Sequence, residues 1–140
     1  MIKLVKFADY VTEITGMMHQ MEHLEPIDVD IPVRRYVELC DAGILKSFLW
    51  VDGHIVKGVA LIFVSPSLRN SKHINASTDV IYVKAEHRGN SKYFADAIAY
   101  RLKRMDVKYW YVSSRDNAPI DAFLTKNNFK KLEQLFIKEL

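Results

Sequence analysis

The sequence predicts an α/β domain of the α+β kind, with a mixed central sheet of six to seven strands flanked by about four helices. Three observations lead there. The 140 residues, 49% hydrophobic, match one ordinary domain with enough apolar content for a real core, and no repeat or linker divides residues 1–140. The first half passes from helical periodicity into two apolar strands around an Asp-Gly pair. The second half alternates strand, helix, strand, helix, strand.

Ile2 to Phe7 alternates loosely as a short strand. A helix then opens at Ala8 or Asp9 and runs to Leu24, with Val11, Ile14, Met17, Met18 and Met21 as its apolar stripe. EPIDVDIP interrupts, because each proline disfavours helix in the residue before it. Pro32 suits a first helical position, and Gly43 ends the short helix VRRYVELCDA. ILKSFLWV and HIVKGVALIFV then form a hairpin around Asp52-Gly53, a type I′ signal. Ser65 to Ser71 is a loop and Ile74 to Val83 a strand. Ser91 to Met105 is a helix, Val107 to Ser113 a strand and Asp116 to Lys126 a short helix. FKKLEQLFIKEL reads as one or two final strands.

Composition narrows the function classes. No run approaches the roughly 18 apolar residues of a membrane span, and the N-terminus lacks the features of a secretion signal, so a cytoplasmic protein is expected. Cys40 is the sole cysteine, which excludes an intrachain disulfide or a zinc-binding cysteine pair. The formal charge is +3, but between Lys84 and Lys108 seven Lys or Arg face three Asp or Glu. A basic patch of that size suits a small anion and argues against nucleic acid, which needs a wider basic face.

Thr78 to Met105, TDVIYVKAEHRGNSKYFADAIAYRLKRM, carries the clearest chemistry. An apolar strand runs through a polar turn into a basic amphipathic helix. The first turn of a helix has unpaired N–H groups and roughly half a positive charge, which together bind phosphate. Arg88 and Lys92 add formal charge there; the alternative is a solvated helix face.

IYVKAEHRG, the helix FADAIAYRLKRM and DNAPIDAFLTKNNF resemble the corresponding pieces of the GNAT (Gcn5-related N-acetyltransferase) superfamily, over about Phe48 to Leu140. SPSLRN, TDVIYV and LEQLFIKEL look most like its compact bacteriophage-encoded members, which implies a host cytoplasm. The resemblance implies the GNAT fold and acetyl-CoA as acyl donor, with Tyr82 and Val83 beside its pantetheine arm. Its pyrophosphate would lie on Arg88, Gly89, Asn90, Ser91, Lys92 and Tyr93, and Asn117 would contact it within one residue of register. Aligned on Arg88, the family's two small positions hold Ser91 and Tyr93, and a bulky Tyr93 can obstruct close backbone approach. A register using Gly89 as the flexible point is the alternative.

Transfer to an amine needs a base, a polarised thioester and a proton for the departing thiolate. The family's strand carboxylate matches Asp79, the only carboxylate in Ile74 to Val83. Period-two alternation puts Asp79 on one face with Ile81 and Val83, where burial would raise its pKa toward that of a working base; a purely structural role is the alternative. The family's acid Tyr falls on Leu124, which has no proton, so Tyr111, Ser113, Ser114 or water would serve. Asn128 replaces the family's Gly, tolerable because Asn enters left-handed backbone readily.

HQMEH matches the H-x-x-E-H zinc pattern formally, but no third ligand is evident and no metal is expected. Glu22, His23 and Glu25 instead line the acceptor side, an acidic lip for a cationic small-molecule amine or a protein lysine; a solvated helix end is the plain alternative. LEQLFIKEL is apolar enough to pair across a homodimer. The function that follows is N-acetylation of an amine by direct attack. The rival is a non-catalytic GNAT-fold protein serving phage structure or host interaction.

Overall fold

The computed structural model describes residues 1–25 and 27–140. Pro26, the first proline of EPIDVDIP, lies outside the described residues. Five strands form one mixed sheet in the order β1-β2-β3-β4-β5: β1 (Ile2–Val5), β2 (Leu45–Asp52), β3 (Ile55–Pro66), β4 (Ile74–Val83) and β5 (Val107–Tyr111). The first four are antiparallel in succession, and β4 and β5 run parallel. The helices are α1 (Val11–His19), α2 (Val33–Asp41), α3 (Ser91–Arg104) and α4 (Asp121–Lys126).

The alternation of β2 and β3 divides the core between the two sheet faces. Phe48, Trp50, Ala60 and Ile62 pack under Phe94, Ile98 and Leu102 of α3. Leu45, Leu49, Val59 and Leu61 pack on the other face under Ile14 and Met17 of α1, together with Phe7. Gly58 lets α3 sit close to the sheet, because a Cβ there would meet the Tyr82 carbonyl oxygen at 3.0 Å and the Phe94 ring at 3.4 Å. Gly58→Ala is therefore expected to destabilise the fold by about 1–3 kcal/mol through overpacking, read as a lower urea midpoint.

Several expected boundaries are corrected. Phe7 lies in a 3-10 turn, Phe7–Asp9, and not in β1. The first helix stops at His19, and Glu22–Leu24 forms a separate 3-10 turn. Pro32 is the N-cap of α2 and not its first residue. In the hairpin Asp52 pairs with Ile55, so the loop is Gly53-His54; the only positive φ is Gly53 at 60°, the signature of a type II′ turn and not type I′. α4 starts at Asp121 and not Asp116, because Pro119 keeps Ala118 out of helical backbone. No strand is assigned from Phe129 to Leu140, so the described sheet has five strands and not six or seven.

Gly43, at φ 76°, ends α2 as expected, and Asn128, just beyond α4, takes the left-handed backbone expected of it at φ 66°. Around Asn128, Phe129 N–H donates to the Leu124 carbonyl at 2.9 Å and Asn128 N–H to that of Thr125 at 3.1 Å, a Schellman pair.

Candidate active site at the parting of two strands

β4 and β5 share a ladder only from Ile74 with Val107 to Ser77 with Tyr111. Beyond Ser77, β4 continues to Val83 against β3 alone. Its edge toward β5 thus has no ladder partner over Thr78 to Val83, which leaves backbone donors and acceptors lining a wedge. The last shared stretch is pinned from the side: the Trp110 indole N–H donates to Thr78 Oγ1 at 2.8 Å, and Phe129 packs edge-on against Trp110 at 5.0 Å.

A β-bulge at the start of the wedge aims Asp79. Leu61 pairs with Val80 and Ile62 with Thr78, so Asp79 is the extra residue with no partner on β3. The alternation slips there. Ile81 and Val83 pack on the α3 face, whereas Asp79 reaches the opposite side and accepts a 2.7 Å hydrogen bond from the Tyr36 hydroxyl of α2. This overturns the expected shared face with Ile81 and Val83, and bulges characteristically re-aim single side chains in this way. Asp79 is also exposed and not buried among apolar neighbours as expected.

Tyr36 is held from behind by stacking on the buried Phe7 ring, 5.2 Å between centroids and 10° between planes. Burial first, then the hydrogen bond to Asp79 and the negative charges of Asp79 and Glu25, push the Tyr36 hydroxyl well above the ordinary tyrosine range. The folded state holds this proton more tightly than the unfolded chain, so the contribution to stability is complete below about pH 10 and is lost as pH rises through the raised native value. Wild-type urea midpoints are expected to fall as pH rises above about 10, and Tyr36→Phe removes that part of the fall. An equal fall in both proteins would contradict the assignment.

The segment holding Glu25 is clamped by a residue that the sequence does not single out. Arg115, between β5 and α4, donates to Glu25 Oε1 at 2.8 Å and to the Leu24 carbonyl at 3.3 Å. Glu25 thereby stands near enough to Tyr36 for its charge to act there. Glu22 pairs with His19, and His23 is exposed on the 3-10 turn, so of the three expected lip residues only Glu25 joins the Tyr36–Asp79 pair. Among the described residues no group of His, Cys, Asp or Glu is arranged to hold a metal.

The basic turn differs in shape from an open loop. Ala85–Asn90 is 3-10, with Asn90 as the N-cap of α3, and no side chain caps the helix. Arg88 folds back, its Nε donating to the Val83 carbonyl at 3.0 Å and its guanidinium lying 5.8 Å from the centre of the Tyr82 ring. Lys92 pairs with Asp96 at 2.6 Å. Tyr93 leans on Trp50, ring centres 5.7 Å apart, and lines a groove of about 570 Å³ beside Met1, while Trp50 also meets His87 of the turn at 6.2 Å. Gly89 has no positive φ and a Cβ there would meet nothing within 4 Å, so the backbone does not use it as a special flexible point.

Tyr111, the final residue of β5, is 41% exposed and borders the wedge opposite Ser77. Ser114 is already employed: its hydroxyl accepts from the Ile120 N–H at 2.8 Å and bonds the Asp121 carboxylate at the start of α4. Asn117 lies exposed in a turn closed by the Arg115–Ala118 bridge, and not on a helix.

No protein-family model matches the sequence, and no curated protein matches it. Solved structures do match the fold. The chain is similar to a predicted acetyltransferase with acetyl-CoA from Clostridium acetobutylicum, at 12% identity and TM-score 0.75 over 99% of this chain and 95% of that one. An aminoglycoside acetyltransferase from an uncultured soil metagenomic sample, in complex with sisomicin, matches at 11% identity and TM-score 0.78 over 100% and 95%. Glucosamine-6-phosphate N-acetyltransferase from Arabidopsis thaliana matches at 11% identity and TM-score 0.73 over 99% and 97%. The chain therefore has the fold of the GNAT acetyltransferases across nearly its whole length.

Proposed function

We propose that the protein is an acetyl-CoA-dependent N-acetyltransferase that passes an acetyl group to an amine by direct attack. The observation that carries the proposal is the wedge between β4 and β5 with the bulged Asp79 at its start, bonded to Tyr36 and faced by Glu25. The residues fit the donor. The unpartnered β4 edge from Thr78 to Val83 offers backbone groups to the amides of a pantetheine arm, with Tyr82 and Val83 at its far end. The start of α3, Gly89 to Tyr93, is where a pyrophosphate would lie, with Arg88 and Lys92 adjacent and the Ser91 N–H already donating to the Arg88 carbonyl at the end of the 3-10 turn. Asn117, exposed on the turn after β5, is the further cofactor contact that the resemblance implies.

Acetyl-CoA supplies a thioester whose C–S bond breaks as the amine nitrogen forms the new C–N bond. Asp79 takes the proton that the attacking ammonium must lose. Its Oδ2 is engaged by Tyr36, which leaves Oδ1 for the acceptor. Glu25 adds negative charge on the same side and favours a cationic amine, whether a small molecule or a protein lysine. Tyr111, at the other lip of the wedge, is the group positioned to return a proton to the thiolate. Within the same proposal the setting is the cytoplasm of a phage host, supported by the sequence resemblance alone; among the described residues no helix is long and apolar enough to cross a membrane.

The test is thiol release from acetyl-CoA against a panel holding an aminoglycoside, an amino sugar, a diamine and a lysine peptide. Turnover with one class supports the proposal and names the acceptor. Leu124, which has no proton to give, favours a second reading: a non-catalytic GNAT-fold module for phage structure or host interaction. Bound acetyl-CoA without release from any amine would move the assignment to that reading.

A further inference from the structure

Strand β1 closes one side of the sheet and pairs with β2 alone. Its hydrogen-bond phase is set at its start, where the Val51 N–H donates to the Met1 carbonyl at 2.8 Å. Alternation then turns Lys3 and Val5 toward β2 and leaves the N–H and C=O groups of Ile2 and Leu4 pointing outward. The Ile2 carbonyl bears this out: it accepts from Nη2 of Arg101 on α3 at 3.2 Å. A side-chain donor thus stands where the N–H of a further strand would stand.

Helix α3 runs beside this edge as a wall. Between them lies the groove of about 570 Å³, with Ile2, Tyr93, Tyr100, Arg101, Arg104 and Met105 among its lining residues. Tyr93 and Tyr100 are 52% and 64% exposed, so both rings are open to an incoming chain. Arg104 is exposed, its guanidinium 5.9 Å from the centre of the Tyr100 ring. Among the described residues two guanidinium groups and no carboxylate line the groove, and Asp96 nearby on α3 is engaged by Lys92 at 2.6 Å.

We propose that this groove takes an extended acidic segment of a partner protein, which adds as a strand to the outer edge of β1 with its carboxylates on Arg101 and Arg104. Strand addition draws affinity from main-chain bonds and preference from the side chains beside the edge. β1 is four residues long, about 13 Å, so about four residues of the partner pair with it. The incoming N–H replaces Arg101 on the Ile2 carbonyl, and the freed guanidinium turns to the partner's carboxylate, so every group stays satisfied. Lys3, exposed on the opposite face of β1 from Ile2, discourages a basic strand and not an acidic one. A second copy fits poorly, because pairing two β1 edges sets Lys3, Arg101 and Arg104 of each against those of the other. The site lies at the opposite edge of the sheet from the β4–β5 wedge and stands independently of acetyl transfer.

The test is fluorescence anisotropy of the full-length protein with three dye-labelled eight-residue peptides, in which Val alternates with Glu, with Ser or with Lys. The Glu peptide is expected to bind at micromolar concentration and the Ser peptide at least about tenfold more weakly, the gap closing as salt rises, with no binding of the Lys peptide. Leu4→Pro removes an outward N–H and leaves the ladder to β2 intact, a substitution that edge strands accept. It is expected to weaken the Glu peptide at least about tenfold with an unchanged circular dichroism spectrum. Arg104→Glu, at an exposed side chain, serves where the proline variant fails to fold, and is expected to lose the Glu peptide. No binding of the Glu peptide at millimolar concentration, equal binding of all three, or binding indifferent to both substitutions would overturn the proposal. So would displacement of the Glu peptide by an oligothymidylate, which assigns the groove to a nucleic-acid strand. A dimer in light scattering that Leu4→Pro dissolves would assign the edge to a second copy, and overturn it likewise.

Discussion

Substituting Asp79 with Asn is expected to lower turnover by about 10²- to 10⁴-fold, the usual worth of a positioned general base, while leaving acetyl-CoA affinity unchanged. The expectation rests on geometry. The bulge sets Asp79 outside the β3 ladder, and its carboxylate serves no strand pairing and closes no core contact. Asn keeps the size and can still accept from Tyr36, so the fold and the donor site stay intact while proton acceptance is lost. The rise of kcat/KM with pH on its acid side is expected to vanish in this variant. Turnover equal to wild type at all pH values would remove Asp79 from the chemistry. Tyr36→Phe separates positioning from chemistry: the carboxylate remains but loses the 2.7 Å bond that orients it, so a smaller loss in kcat with a retained pH limb is expected.

Arg88→Glu is the second large effect. The guanidinium bridges the last carbonyl of β4 and the Tyr82 ring, one turn before the start of α3, at the place where a pyrophosphate would meet the helix. Reversing its charge sets a carboxylate against the phosphates without unsettling the helix, since a negative side chain near a helix N-terminus is favourable. The acetyl-CoA dissociation constant is expected to rise at least about tenfold at low salt, matching the roughly 1.5 kcal/mol or more of a charge-assisted contact. The gap from wild type should narrow as salt rises, because the screening length shortens from about 30 Å at 0.01 M to about 3 Å at 1 M. A calorimetric titration at several salt concentrations checks both parts, and unchanged affinity would take Arg88 out of the site.

The fold was largely legible because its signals are local. The β2–β3 hairpin follows from alternation around Asp52-Gly53, and α3 from an apolar stripe with a basic outer face, both visible without any long-range partner. Even there the turn shifted by one residue, since the strand register decides which two residues close the loop. The final strands were read from the apolar pattern of FKKLEQLFIKEL, yet such a pattern reports only that a segment needs covering and not what covers it.

The site was legible in its residue types and less so in its directions. Asp79 stood out as the lone carboxylate of β4, but strict alternation aimed it at the wrong face because a bulge leaves no mark in the sequence. Tyr36 sits in the stripe Val33, Tyr36, Val37, Cys40 and looks like an ordinary core aromatic; its partner lies 43 residues away. Arg115 is separated from Glu25 by 90 residues, and nothing near either announces the pairing. Pro119 did carry a usable signal, because it forbids the helix from starting at Asp116 and so puts Asn117 on a turn.

The central claim is that the wedge and the helix start beside it bind acetyl-CoA, and titration calorimetry of the purified protein with acetyl-CoA and separately with CoA tests it most directly. The account expects micromolar binding of both, since the shared phosphates and pantetheine make most of the contacts. No heat at millimolar ligand, from protein shown to be folded, would contradict it.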